Sequence, residues 1–385
     1  MAGIYLDHHS TTPLDPRARA AMEPWLTERF GNPHSESHML GRTAAAAVEE
    51  ARAKVATLIE ADPREITFTS GATESNNLAI LGAARFLKET KRRIVTVATE
   101  HKCVLESCLA LRDEGYEAIV LGVRPNGLLD LAELSRAVTD DTALVSVMAA
   151  NNEIGVVQPI AEIAAIARAK GALFHTDAAQ AAGKVPLDAT NADLISLSSH
   201  KVYGPMGIGA LYVRRRPRVR LKPLFHGGGQ ERGLRSGTLP VALCVGFGEA
   251  CAIASNERAQ ESDRVGRLRD RLETRLTAAV PGARVNGAGA PRLPGNLNLT
   301  IPGVDALALL AEVPDVALST GSACTSAEVE PSYVLSALGL DEKAARASLR
   351  FGVGRFNTEP EIDRAADLIA AAATRLRAKA GVVAG

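Results

Sequence analysis

The chain has 385 residues, 46% hydrophobic and 23% charged, which is enough for a large core and two domains. Lysine plus arginine number 44 and aspartate plus glutamate number 44, so no charge excess argues for a nucleic-acid or membrane surface. No apolar run of roughly 18 residues supports a membrane span, and the N-terminus has no signal-peptide core. Five cysteines without a C-x-x-C pair argue against a disulfide framework or a thiolate zinc site, so a cytoplasmic chain with reduced thiols is expected.

From about residue 66 strands and helices alternate. ITFTS (66–70) reads as a strand, and a glycine turn leads into the helical run ATESNNLAILGAARFLKE. RIVTVA is a strand and CVLESCLALRDEG a helix; YEAIVLGV is a strand and LAELSRAV a helix. TALVSVMAA, ALFHTD, DLISLSS and GIGALYVRR are further strands, with IAEIAAIARAKG a helix among them. Short apolar runs between amphipathic helices predict a mostly parallel sheet covered on both faces. Near residue 240 the pattern changes to one long helical stretch ending in RLTAAV, which bridges two domains. NLNLTI (strand), VDALALLAEV (helix), a cysteine loop, a short helix opened by Pro331 and closed by Gly339, ASLRFGV (strand) and a closing amphipathic helix follow. Thr358 and Glu361 stand at capping-box spacing before that last helix.

Polar clusters sit at successive strand ends. GATESNN (71–77) opens a helix, and free N–H groups at a strand–glycine–helix junction suit a phosphate; an ordinary capped helix is the alternative. SLSSHKVYGPMG places Lys201 at a strand end, where a desolvated lysine forms Schiff bases; an exposed turn lysine is the ordinary reading. FHTDAAQ puts Asp177 at a strand's carboxyl end, where open α/β sheets bind ligands, although it also fits a helix cap. TEHKC and ANNEIG add His101 and two amides at further strand ends. Together they describe one site. A lysine, an aspartate partner and a phosphate cradle are the parts that pyridoxal 5'-phosphate (PLP) requires. GGGQERGLRSGT (227–238) offers Arg232, Arg235 and Thr238 as further phosphate donors.

The motifs LDHHSTTPLDP, GNPHSESHMLGR, TFTSGATESNN, TEHK, NNEIGVVQPI, HTDAAQ, SHKVYGP, RSGTLPV, GSACTSAEVEPSYVL and LRFGVGRF, in that order, resemble the cysteine desulfurases of the nitrogen-fixation and iron–sulfur-cluster type. The resemblance covers nearly the whole chain. It implies a fold-type I PLP-dependent transferase: a large domain (13–250) with a mostly parallel seven-stranded sheet flanked by helices, and a smaller α+β domain (1–12 and 251–385). It implies Lys201 as the lysine that carries the cofactor and Asp177 as the partner of the pyridine nitrogen. His101 is similar to the histidine that stacks on the ring and shuttles protons. Gln180 resembles the donor to the ring oxygen, and Asn152 a neighbour of cofactor and substrate. Ala72, Thr73, Ser198 and His200 resemble the phosphate binders. Thr238 resembles the residue that reaches the phosphate from a partner subunit, which implies a homodimer. Arg350 resembles the arginine that forks onto the substrate carboxylate. Cys324 matches the cysteine that receives sulfur from L-cysteine as a persulfide, on a mobile loop spanning about 319–330. The implied partner is a sulfur-acceptor protein such as an iron–sulfur scaffold. Aminotransferases, selenocysteine lyases and a non-catalytic scaffold share the fold, and Cys324 separates a desulfurase from an aminotransferase.

Met206 stands where many relatives have lysine, Gly352 where many have serine, and Thr320 also replaces a common serine. Cys103, Cys108, Cys244 and Cys251 are expected to be packing residues. His34 and His38, four apart, lie in a non-helical, serine-rich context with no third ligand, so no metal is expected there.

Overall fold

Two helices precede the alternating region, and the sequence patterns left both unassigned. A computed structural model of the protein describes residues 3–320 and 331–379. After strand β1 (Ile4–Tyr5) come α1 (Pro16–Leu26) and α2 (Met39–Leu58). Asp15 caps α1 by accepting from the Arg17 N–H, with Pro16 pre-set for the first turn. The His38 ring caps α2 by accepting from the Gly41 N–H at 3.1 Å. Ala44, Val48, Ala51 and Val55 form the buried stripe of α2.

The alternation then runs as expected: β2 (Ile66–Thr69), α3 (Ala72–Leu87), β3 (Arg93–Val97), α4 (Lys102–Ala110), β4 (Glu117–Leu121), α5 (Leu131–Ala137), β5 (Thr142–Ser146), α6 (Ile160–Ala169), β6 (Leu173–Asp177), β7 (Leu194–Ser198) and β8 (Gly209–Val213). These strands make one seven-stranded sheet in the order β2-β8-β7-β6-β5-β3-β4. Only β8 runs against the others, so the sheet is mostly parallel. Alternate side chains of each strand enter different cores. On β7, Leu194 packs with Ile80, Ala83 and Val104 from α3 and α4, while Ile195 and Leu197 pack with Val55, Ile163 and Phe247 on the opposite face. Burial on both faces explains why these strands read as near-continuous apolar runs.

The long helix is α7 (Val241–Ala279). As far as Ala254 it buries side chains in the sheet's core; Val265, Leu268, Leu272 and Leu276 belong to another cluster. That cluster includes residues of β10 (Asn296–Thr300), α8 (Ala306–Glu312), β11 (Val316–Ala317), β12 (Ser348–Gly352) and α11 (Glu359–Lys379), with Val285 of β9 (Arg284–Val285) packed against it. Removing a fully buried leucine such as Leu272 would cost about 2–5 kcal/mol through lost burial and the cavity left behind. β12, β10 and β9 form an antiparallel sheet, and β1 pairs with β11 in parallel.

Between β11 and β12 lie α9 (Tyr333–Ala337) and α10 (Glu342–Arg346). Ser332, rather than Pro331, opens α9: its hydroxyl accepts from the Leu335 N–H. Gly339 ends this segment at φ 88°, a conformation that favours glycine. At α11 the Glu361 carboxylate accepts from the Thr358 N–H at 2.9 Å, and the Thr358 hydroxyl turns to the same carboxylate instead of capping the backbone. Cys108, Cys244 and Cys251 are fully buried packing residues. Among the described residues no helix is long and apolar enough to cross a membrane.

Candidate active site

Parallel strands deliver their carboxyl ends to one edge of the sheet, and the predicted polar clusters meet there. A cavity of about 450 Å³ is lined by Ala72, Thr73, His101, Asn152, Asp177, Gln180, Ser198, His200, Lys201 and Arg350. Ten of the twelve residues expected from the sequence therefore converge. Thr238 is exposed and stands outside the cavity. Cys324 lies outside the described residues, as does most of the predicted loop, 321–330.

Lys201 ends the short turn Ser199–Lys201 after β7. Its ammonium donates to the carbonyls of His9 (2.6 Å) and Ser10 (2.7 Å). Asp177 ends the neighbouring strand β6 and is buried. One of its oxygens accepts from the Ala179 N–H at 2.9 Å, and the other accepts from Asn76 Nδ2 at 2.7 Å. A carboxylate held from two sides points in a fixed direction. Gln180 donates to the His9 carbonyl at 2.9 Å, while His9 Nδ1 lies 3.1 Å from its amide oxygen.

Burial and the nearby Lys201 charge hold His101 below the ordinary histidine range, with Asp177 opposing the shift. Burial, aided by Lys201 and Lys184, lowers His200 to about 4. Both rings are therefore neutral at pH 7. Glu100 is fully buried, and burial raises its pKa well above the usual carboxylate range. One Glu100 oxygen accepts from the Met148 N–H at 2.5 Å.

The end of α3 is built for an anion. Gly71 precedes it at φ 152°, with open space where a Cβ would stand. Among the described residues no side chain caps this helix, and Ala72, Thr73 and Glu74 of its first turn line the cavity at the positive end of the dipole. The open cradle, the aligned Asp177 and the lysine in the turn after the adjacent strand fit the phosphate, ring nitrogen and aldehyde of PLP.

The two arginines expected to reach the same phosphate have other partners. Arg235 Nε donates to the Glu74 carboxylate at 2.8 Å, and Arg232 donates to the Ile66 carbonyl. The Glu74 link ties the 227–238 segment to the first turn of α3. Cys103 is also not a simple packing residue: it lines the cavity beside His101 and Asn76. Met206, at the position where relatives have lysine, is 63% exposed at the cavity wall. Gly352 does more than replace a serine. A Cβ there would meet the His8 backbone nitrogen at 2.7 Å, so glycine lets β12 close onto the N-terminal segment.

Asn76, Glu74, Asp7 and His9 support the site without having been singled out. Asn76 and Glu74 lie within the quoted GATESNN motif, and their spacing along α3 is the signal that was available.

A mostly parallel sheet presenting a lysine, an aligned carboxylate and an open helix end to one cavity defines a PLP-dependent enzyme of fold type I. Comparisons narrow that class. Residues 4–365 match the class-V aminotransferase family. A relative named cysteine desulfurase IscS from Rickettsia akari is 54% identical over 97% of this chain and 92% of its own length. The structure of a NifS-like protein superposes with a TM-score of 0.89 at 35% identity, covering 97% of this chain and all of the other. A structure described as SspA in complex with cysteine superposes with a TM-score of 0.82 at 37% identity, covering 92% of this chain and all of the other. The chain belongs to the class-V aminotransferase family.

Proposed function

We propose that the protein is a PLP-dependent cysteine desulfurase that takes sulfur from L-cysteine, releases L-alanine and passes the sulfur to an acceptor. The observation that carries this reading is the meeting of Lys201, Asp177 and the open end of α3 in one cavity with Arg350. When bound, PLP draws electrons from the substrate's α-carbon and so permits its carbon–sulfur bond to break.

Each residue then has a task. Lys201 would hold the cofactor and, when its amine is free, take the α-proton as a base. Asp177 would keep a proton on the pyridine nitrogen. Ala72, Thr73, Ser198 and His200 would hold the phosphate. His101 walls the ring, and Gln180 and Asn152 border it. Arg350 receives the substrate carboxylate: its Nε is buried and has no partner among the described residues. The Cys324 thiolate attacks the substrate sulfur; a sulfur–sulfur bond forms as the carbon–sulfur bond breaks, and a proton completes alanine. The terminal sulfur of the persulfide passes next to an acceptor thiol, which an iron–sulfur scaffold protein would supply.

The working unit is a homodimer in which the exposed Thr238 reaches the partner's phosphate. Exposed Leu26 (64%), Phe30 (67%) and Met39 (71%) support an apolar contact with a second copy. We assign the large domain to 13–250 and the small one to 1–12 and 251–385, with the turnover of core along α7 as support. A cytoplasmic location fits the reduced thiols. The test is spectroscopic: the purified protein carries a visible PLP band that Lys201→Ala abolishes. A colourless protein that takes up no PLP would refute the reading.

A further inference from the structure

His101 is the N-cap of α4, and its ring Nδ1 accepts the Cys103 backbone N–H at 3.2 Å. A nitrogen that accepts a hydrogen bond cannot itself carry the proton. Cys103 Sγ lies 3.0 Å from the same nitrogen. That sulfur accepts in turn from Asn76 Nδ2 at 3.2 Å, and the same amide group donates to Asp177 at 2.7 Å. The Asn76 orientation is fixed, because a flipped amide would set its oxygen against the Asp177 carboxylate. The directions follow: Asp177 accepts, Asn76 donates twice, the sulfur accepts from Asn76 and from the Thr73 hydroxyl, and its S–H has Nδ1 as its acceptor.

We infer that Cys103 is a positioning residue whose thiol and backbone N–H both donate to Nδ1 and hold His101 as the Nε2–H tautomer. The neutral ring then offers the cavity a hydrogen-bond donor and no lone pair at Nε2. Such a donor suits an anionic sulfur or oxygen, such as a substrate thiolate, and leaves proton removal to Lys201. This last consequence rests on the desulfurase reading; the tautomer does not.

The charged and titratable groups around the ring agree. Asp177 faces it from β6, Lys201 from the turn after β7, and Glu100 precedes it in the chain. Burial first, and then the Asp177 charge, push the Cys103 thiol up to about 12, so it keeps its proton at neutral pH.

The experiment is nitrogen-15 NMR of histidine-labelled, PLP-loaded protein at neutral pH without substrate, with His101 assigned through His101→Gln. The proton is expected on Nε2; a proton on Nδ1 would overturn the inference. Cys103→Ala removes the thiol donor that favours the neutral ring, so the His101 pKa should rise by about half a pH unit or more. Cys103→Ser, which keeps a donor, should restore it. An unchanged or lowered value in Cys103→Ala, or a value in Cys103→Ser equal to that of the alanine variant, would also overturn the inference. These readouts need no cysteine turnover, so a failure of the desulfurase reading is distinguishable from a failure of this one.

Discussion

The guanidinium of Arg350 stands 2.8 Å from the carboxylate of Asp7, a residue from the opposite end of the chain. The same nitrogen donates to the Ser10 hydroxyl at 2.6 Å, and Nη1 reaches the Asn152 carbonyl at 3.3 Å. The Arg350 backbone N–H donates to the Ser319 carbonyl at 2.7 Å, just before residues 321–330. One residue thus joins the N-terminal segment, the strand-end cluster and the base of the cysteine segment.

Arg350→Lys keeps the charge but loses the planar fork. It should raise KM for L-cysteine about tenfold while the visible PLP band persists. Arg350→Ala should lower kcat/KM by on the order of 10²-fold, corresponding to about 3 kcal/mol. Asp7→Asn should change KM less than either. Steady-state kinetics check all three, and an Arg350→Ala variant with ordinary kcat/KM would remove this residue from the substrate site.

Asp177→Asn should leave a folded protein with a weakened hold on PLP and a kcat lower by on the order of 10²–10³-fold, because a buried charge partner is lost. Absorbance titration with PLP and single-turnover alanine formation measure the two effects separately. Unchanged affinity and rate would show that Asp177 has no cofactor contact.

Arg52 and Glu231 form a buried bidentate pair, with both oxygens 2.8 Å from the guanidinium. Glu231 also accepts from the Phe68 N–H at 2.6 Å on β2, so the pair anchors the 227–238 segment to the sheet. Glu231→Ala should cost about 3–5 kcal/mol in urea unfolding, since it strips the buried guanidinium of its bidentate partner and leaves it only the exposed Glu49 carboxylate and the Ile66 carbonyl. A loss below about 1 kcal/mol would show that water or another group takes the place of Glu231.

Acid should weaken the folded state through its buried histidines, an effect that protonation of the buried Glu100 opposes. Burial lowers His8 to about 4 and His175 to about 3, against 6.5 for an ordinary histidine. Between those values and 6.5 the unfolded chain binds more protons than the folded one. The stabilising contribution is complete above 6.5; it is lost as pH falls, by about pH 4 for His8 and about pH 3 for His175. At pH 5 each should have cost about 2 kcal/mol relative to pH 7. Urea midpoints at the two pH values test this, and His175→Gln should flatten the dependence.

Much of the site was legible because a strand buried on both faces reads as an apolar run, and its polar end then stands out. Lys201, Asp177 and His101 were visible in this way, and the sheet brought them together. Contacts between distant segments were not visible. Nothing local in GGGQERGLRSGT shows that Arg235 turns to Glu74 instead of a phosphate, or that Asp7 meets Arg350. Cys103 read as packing because it lies on an otherwise apolar helix; its place in the first turn, beside an N-cap histidine, is what turns it to the cavity. The first 65 residues were left without elements because the caps of α1 and α2, Asp15 and His38, sit among prolines, serines and histidines that mask the helical period.

The most direct test is incubation of the PLP-loaded protein with L-cysteine and a reducing thiol, with alanine and sulfide both quantified. Equal amounts of alanine and sulfide are predicted, with neither product from Lys201→Ala. Cys324→Ala should keep the visible band and lose both products. Full sulfide release by Cys324→Ala, or sulfide appearing without alanine, would contradict the account.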